Sequence, residues 1–206
     1  ARQDPQRRRI PEVYVVKLYF LTTNPFKMGE AKDYFACRKI NGVELCVIEQ
    51  DVQEILHPDV SIIVRQKAID AYEYIRHPCV VEHGGLFMDA LPGLPGGVGK
   101  IVWNAVGDRM CSFLREGDSR SATVRAFLGY CDGKRVSVHV GETRGTIADR
   151  ARGAYQFAWD PIFMPEQSAE TYGEMGPEKK RATSPVFKAW DVFLKTISVP
   201  TQRATP

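Results

Sequence analysis

The feature that most constrains this chain is an alternation of period-2 and period-3.6 hydrophobic segments in its first 83 residues. "YVVKLYFL", Tyr14–Leu21, is a β-branched and aromatic run that breaks at Thr22-Thr23-Asn24-Pro25 into helically spaced "KMGEAKDYFACRKI". "GVELCVIEQDV" predicts a second strand. "DVSIIVRQKAIDAYEYI" predicts a second helix, with Asp59 as its N-cap and Ile62, Ile63, Ala68, Ile69 and Tyr72 on roughly one face. "CVVEH" predicts a third strand. Strand, helix, strand, helix, strand with short joins dictates an α/β sheet with parallel neighbours and helices on both faces. In such sheets chemistry gathers at the strand ends.

The third strand carries Glu82 and His83 and runs into "GGLFMDALPGLPGG", which predicts a loop directly after the histidine. Beyond it, "GKIVWNAVGDRMCSFLR" predicts a helix, and "ATVRAFLGYCD" and "RVSVHVGETRGTIA" predict a hairpin around Asp132-Gly133-Lys134. "RARGAYQFAWDPIFMPEQ" predicts a loop. The last helix, "SPVFKAWDVFLKTI", has Ser184 as N-cap and Pro185 in its first turn.

At 206 residues, with 44% hydrophobic and 26% charged residues, the chain has the composition of a globular protein, and no segment is apolar enough to span a bilayer. Its five cysteines form no CxxC pair, which argues against a disulfide scaffold or structural zinc site and for reduced thiols in a cytoplasmic protein. Much of the net charge of +3 comes from Arg7-Arg8-Arg9 in a polar lead-in. The expected organisation is therefore a flexible tail over residues 1–12, one domain over 13–198 and a second flexible tail over 199–206. Without a basic face interleaved with aromatics, nucleic acid is not the expected partner.

Several charges fall at predicted element ends. Asn24 and Lys27 open the first helix, where free backbone N–H groups and the helix dipole would meet a phosphate. Glu54 follows the second strand, Lys67 lies on the second helix, Glu82 closes the third strand and Lys100 follows the Gly/Pro-rich loop. Lysines and acids so placed suit a divalent cation with a triphosphate. Phe157, Trp159 and Asp160 could enclose a purine and accept from its N–H edge, or simply pack in the core.

In order, Thr22-x-Asn24-x-x-Lys27-x-x-Glu30, Lys67-Ala68, Val81-Glu82, Ala90-Leu91-x-Gly93-Leu94-Pro95-Gly96, Phe157-x-Trp159-Asp160-Pro161-Ile162-Phe163 and Thr171-Tyr172-x-Glu174-Met175 resemble the inosine triphosphate pyrophosphatase family. The resemblance implies a two-lobed α/β fold, with a central curved mixed sheet flanked by helices and a nucleotide cleft between lobes. It also implies a homodimer and Mg2+-dependent hydrolysis of ITP, dITP or XTP to monophosphate and pyrophosphate. Carried over by motif, Thr22, Asn24, Lys27 and Lys100 would hold phosphates, and Glu54 and Glu82 would sit by the metal. Lys67, Phe157, Trp159, Asp160 and Ser184 would face base or sugar, and Lys180, near the last helix in sequence, is a candidate for the base's 6-oxo group.

The sequence departs from the family pattern twice. After the glutamate the pattern has Asp, the group expected to activate water, and here stands His83. Before the last helix it has Ser-His-Arg, and here stand Ser184-Pro185-Val186. A phosphate grip without the water-activating acid implies impaired catalysis, with Glu82 and His83 as the remaining catalytic candidates. It suits a sensor of dITP, ITP or XTP that works with an effector protein. The alternative is an active pyrophosphatase in which His83 or Glu82 serves as base.

Overall fold

The computed structural model describes residues 15–155 and 157–197. The N-terminal arginines, Tyr14 of the first predicted strand and the expected C-terminal tail lie outside the described residues.

The predicted alternation forms as β1 (Val16–Leu21), α1 (Pro25–Arg38), β2 (Val43–Ile48), α2 (Val60–Ile75) and β3 (Cys79–Met88). Asn24 and Asp59 cap the two helices through their side chains. There follow β4 (Pro95–Gly96), α3 (Gly99–Val106) running into a 3-10 turn (Gly107–Phe113), the long hairpin of β5 (Ser121–Cys131) and β6 (Val136–Ile147), and β7 (Phe163–Pro165). The chain ends with α4 (Tyr172–Lys180) and α5 (Pro185–Leu194). Ser184 caps α5 by accepting from the Phe187 N–H, and Pro185 fills the first turn, where its missing N–H costs nothing. At the hairpin, Asp132 accepts from the N–H groups of Lys134 and Arg135.

The sheet order is β2-β1-β3-β5-β6-β7, with β4 also on β3. β1 pairs in parallel with β2 and β3, and every other pairing is antiparallel. The sheet is therefore mixed, as the family resemblance implies. Alternation along β3 builds two cores. Val80 faces Tyr34 of α1 and Trp190 and Phe193 of α5, whereas Cys79 and Val81 face Val64, Ala68 and Ala71 of α2. A third cluster joins the far ends of β3, β5 and β6 to Trp159, Phe163 and Tyr172. It forms the second lobe.

One expectation fails, with consequences for the site. β3 does not end at Glu82-His83 but continues to Met88, and Glu82 sits opposite Leu128 in its middle. Gly84 and Gly85 read as loop formers, yet they are strand residues in a crowded place. A Cβ at Gly85 would lie 2.8 Å from the Phe87 ring and 3.3 Å from the Gly96 carbonyl. What ends near Glu82 is the neighbour: β1 last pairs with β3 at Phe20–Val80, and β4 first pairs at Leu86–Gly96. Residues 81–85 of β3 thus present an uncovered edge between the two lobes.

Candidate functional site

This uncovered edge is the floor of a cavity of about 340 Å3. The alternation of β3 splits its two polar residues. Glu82, like Val80, points to the α1 side, and its Oε2 accepts from Lys27 Nζ at 3.0 Å. His83, like Val81, points to the α2 side, with Nδ1 3.6 Å from Glu54 Oε2. Lys67 of α2 pairs with Glu54 Oε1. The exposed backbone edge is also used: the Glu82 carbonyl accepts from Lys27 Nζ at 3.1 Å and Lys67 Nζ at 3.4 Å. Lys27, Glu54, Lys67, Glu82 and His83 therefore meet in one place, as the sequence suggested.

The charges shape one another. Burial pushes the Glu54 carboxyl up, but the His83 ring and Lys67 outweigh it and hold the group well below the usual carboxylate range. Burial, reinforced by Lys27, lowers the Lys67 ammonium against the pull of Glu54 and Glu82. Glu54 is thus a fixed negative charge and a weak base.

The turn expected to hold phosphates differs from expectation in one respect. The first-turn amides of α1 are not free: Asn24 Oδ1 accepts from the N–H groups of Phe26 and Lys27, Met28 N–H bonds the Asn24 carbonyl, and Pro25 has none. Asn24 and Thr22, whose Oγ1 accepts from the Asn24 N–H, build the turn. An anion here would meet ammonium groups and the helix dipole rather than a nest of amides. Lys100, in the first turn of α3, lines the same cavity, is exposed and has no ion pair among the described residues.

The turn after residue 156 places Phe157, Trp159 and Asp160 on the wall of the same cavity. Phe157 does not pair with Trp159 to make a purine slot. It stacks on Phe26 at 4.9 Å, with 13° between the rings, while Trp159 is 8% exposed and packs beneath Gly84 and Gly99. Asp160 is buried and joined to Lys180 at 2.7 Å, and Lys180 reaches Glu30 at 2.9 Å. Burial pushes Asp160 up to about 7 against the pull of Lys180. Lys180, despite its own burial, is held firmly protonated by its two carboxylates. Glu30 Oε2 stays buried without a hydrogen-bond partner.

Ser184 is not on this wall. It caps α5 and borders a second cavity of about 320 Å3 with Arg181, which pairs with Asp33 at 2.6 Å. Pro185 and Val186 do line the main cavity, so the wall there is apolar. Residues to which sequence reasoning gave no role include Phe26, Glu30, Trp103, Asn104 and Arg125. Glu30 was visible in the first motif, but its partner Lys180 is 150 residues away.

The fit of a metal follows from these donors. Mg2+ wants oxygen ligands at roughly 2.1 Å, usually one or two carboxylates with phosphates and water. Among the described residues no three His, Cys, Asp or Glu side chains converge as a metal cage. Of the expected pair, Glu82 is engaged by Lys27, and the side chain facing Glu54 offers nitrogen. The set fits an all-oxygen Mg2+ site poorly.

Comparison with known proteins gives the same cavity a lineage. The Ham1 family model matches residues 18–196. Among curated proteins, dITP/XTP pyrophosphatase of Pyrobaculum aerophilum is 35% identical over 85% of this chain and 92% of its own. That of Methanopyrus kandleri is 35% identical over 86% and 94%. A HAM1 protein structure from Coxiella burnetii shares the fold at a TM-score of 0.73 and 21% identity, covering 88% of this chain and 98% of that one. Because these matches span nearly all the described residues and both walls of the cavity, the chain belongs to the Ham1 family.

Proposed function

We propose that this protein binds non-canonical purine nucleoside triphosphates of the dITP/XTP class in the interlobe cavity, and with Mg2+ hydrolyses them slowly for want of a carboxylate at position 83. The observation that carries this reading is that one cavity is lined by both kinds of group: the cations Lys27, Lys67 and Lys100, and the set Phe157, Trp159, Asp160 and Lys180. A triphosphate needs the first and a base the second. The dITP/XTP pyrophosphatases among its relatives supply the substrate class.

Slow turnover rests on the groups beside Lys27 and Lys67. Glu82 is tied to Lys27, and Glu54 is held ionised by its neighbours. Neither is poised as a general base, whose proper placement contributes roughly 10²–10⁴-fold. Tight binding with slow hydrolysis would let the protein report on its ligand as a sensor, because occupancy persists while the ligand is present. A homodimer and an effector partner belong to the same proposal. One observation favours an active enzyme instead: His83 Nδ1 is buried on the cavity wall without a hydrogen-bond partner, a free position for taking a proton.

The test is calorimetric titration with dITP, XTP, ITP, dATP and dGTP beside a pyrophosphate-release assay in Mg2+. Binding of dITP or XTP with turnover well under ~1 s⁻¹ supports the reading. No binding, or turnover in the ordinary range of roughly 1–10³ s⁻¹, defeats it.

A further inference from the structure

We infer that Phe26 is the second stacking wall of the base site, and that a purine is held between the rings of Phe26 and Phe157. The two rings lie nearly parallel, 13° apart with centres at 4.9 Å. They come from opposite sides of the cleft. Phe26 stands in the first turn of α1, whose Ala31 and Tyr34 sit in the first lobe's core, whereas Phe157 leads into the turn that carries Trp159 to the second lobe. Admitting a base of ~3.4 Å thickness means parting the rings by about that distance, a motion along the line on which the lobes separate. Phe26 is free to make it: the side chain is 38% exposed, and its other aromatic neighbour, Tyr155, meets it edge-on at 5.6 Å.

The energies favour insertion. Opening one stack of two rings costs about 2- to 12-fold in an equilibrium constant. Each contact of a base with an aromatic face returns about 5- to 150-fold, and an inserted base makes two. The polar groups beside the rings suit a base edge. Phe26 and Glu30 are four residues apart on α1 and share a face of it. Together with Lys180 they line both cavities and so form part of the partition between them. Lys180 Nζ lies 5.1 Å from the Phe157 ring centre and 2.9 Å from Glu30 Oε1. The other oxygen, Glu30 Oε2, is buried without a hydrogen-bond partner, and the N–H edge of a purine would supply one.

Such a slot rests on the cavity taking a nucleotide, as proposed above, so the test separates the two. Calorimetry measures dITP and inorganic tripolyphosphate on the full chain, Phe26→Ala and Phe26→Tyr. The ratio of dITP to tripolyphosphate affinity should fall about 5-fold or more in Phe26→Ala and stay within about 2-fold in Phe26→Tyr, which keeps the ring face. In the unmodified chain, NMR cross-peaks from hypoxanthine H2 and H8 should reach two phenylalanine rings, one of them absent from the Phe26→Tyr spectrum. Should Phe26→Ala fail to fold, these cross-peaks decide. A ratio unchanged in Phe26→Ala, a ratio that rises because the ring had only blocked the base, or cross-peaks to Phe157 alone overturns the inference and leaves the proposed function standing. Tripolyphosphate binding without dITP binding would defeat both.

Discussion

Lys180→Met should be among the most damaging single substitutions in this protein, and its cost should depend on pH. The Lys180 ammonium is 5% exposed, lies 2.7 Å from Asp160 and 2.9 Å from Glu30, and sits within 5.1–5.6 Å of the Tyr155, Phe157 and Tyr172 ring centres. Methionine keeps most of the volume and removes the charge, leaving two buried carboxyl groups without a counterion. Breaking a buried pair from one side costs about 3–5 kcal/mol. For a chain of this size that is a fall in Tm of roughly 6–20 °C, at about 2–4 °C per kcal/mol.

The sign of the pH dependence follows from Asp160, which burial already pushes to about 7 with Lys180 present. Without the lysine it rises further. A carboxyl whose folded pKa exceeds its unfolded value is stable in its protonated form, and that stability is lost as pH rises through the folded pKa. The deficit of Lys180→Met relative to the unmodified chain should therefore be greatest at pH 8 and about 1 kcal/mol smaller at pH 5, because the paired Asp160 is ionised over only about one pH unit of that window. Urea unfolding at both values measures it. A deficit below about 1 kcal/mol at pH 8, the range of an exposed pair, or one that does not change with pH, would refute the reasoning.

Three other outcomes are expected. Gly129→Ala would place a Cβ 2.6 Å from the Val64 carbonyl and 3.1 Å from Ala68 Cβ, so α2 must shift off β5; urea unfolding should show about 1–3 kcal/mol lost, and no loss would mean the helix sits higher than described. Glu54 should titrate well below the ordinary carboxylate range, adding stability that is present above that range and lost as pH falls below it; carboxyl-carbon NMR should show this low midpoint, and Lys67→Met should move it upward. Lys27→Met should weaken triphosphate binding by about 1.5–3 kcal/mol, the worth of a charged hydrogen bond, and monophosphate binding much less; equal losses in calorimetry would place Lys27 away from the β- and γ-phosphates.

Much of the fold was legible because local signals agreed with it. Asn24, Asp59 and Ser184 stand before amphipathic runs and cap the helices predicted there. Where local and distant forces disagreed, the sequence misled. Gly84 and Gly85 carry turn chemistry, but pairing with β5 holds them in a strand, and that pairing depends on residues some forty positions away. Glycines 173 and 176 and Pro177 hid α4, although Thr171 and Glu174 form a capping box that announces it.

The site was legible as composition and not as geometry. Each of Lys27, Glu54, Lys67 and Glu82 is locally an unremarkable charge, and only the gap left by β1 and β4 brings them to one edge. Ser184 followed its capping role into the helix end, away from the main cavity. The contacts of His83, Nε2 with the Gly97 carbonyl and Nδ1 facing Glu54, are foretold by no spacing rule.

The most direct test of the account is single-turnover release of pyrophosphate from dITP in Mg2+ by the unmodified chain and by His83→Asp, with dITP affinity measured on the same preparations. The account predicts comparable affinities and a rate that rises roughly 10²-fold or more when the carboxylate is installed. An unmodified chain as fast as His83→Asp, or slowed by the substitution, would contradict it.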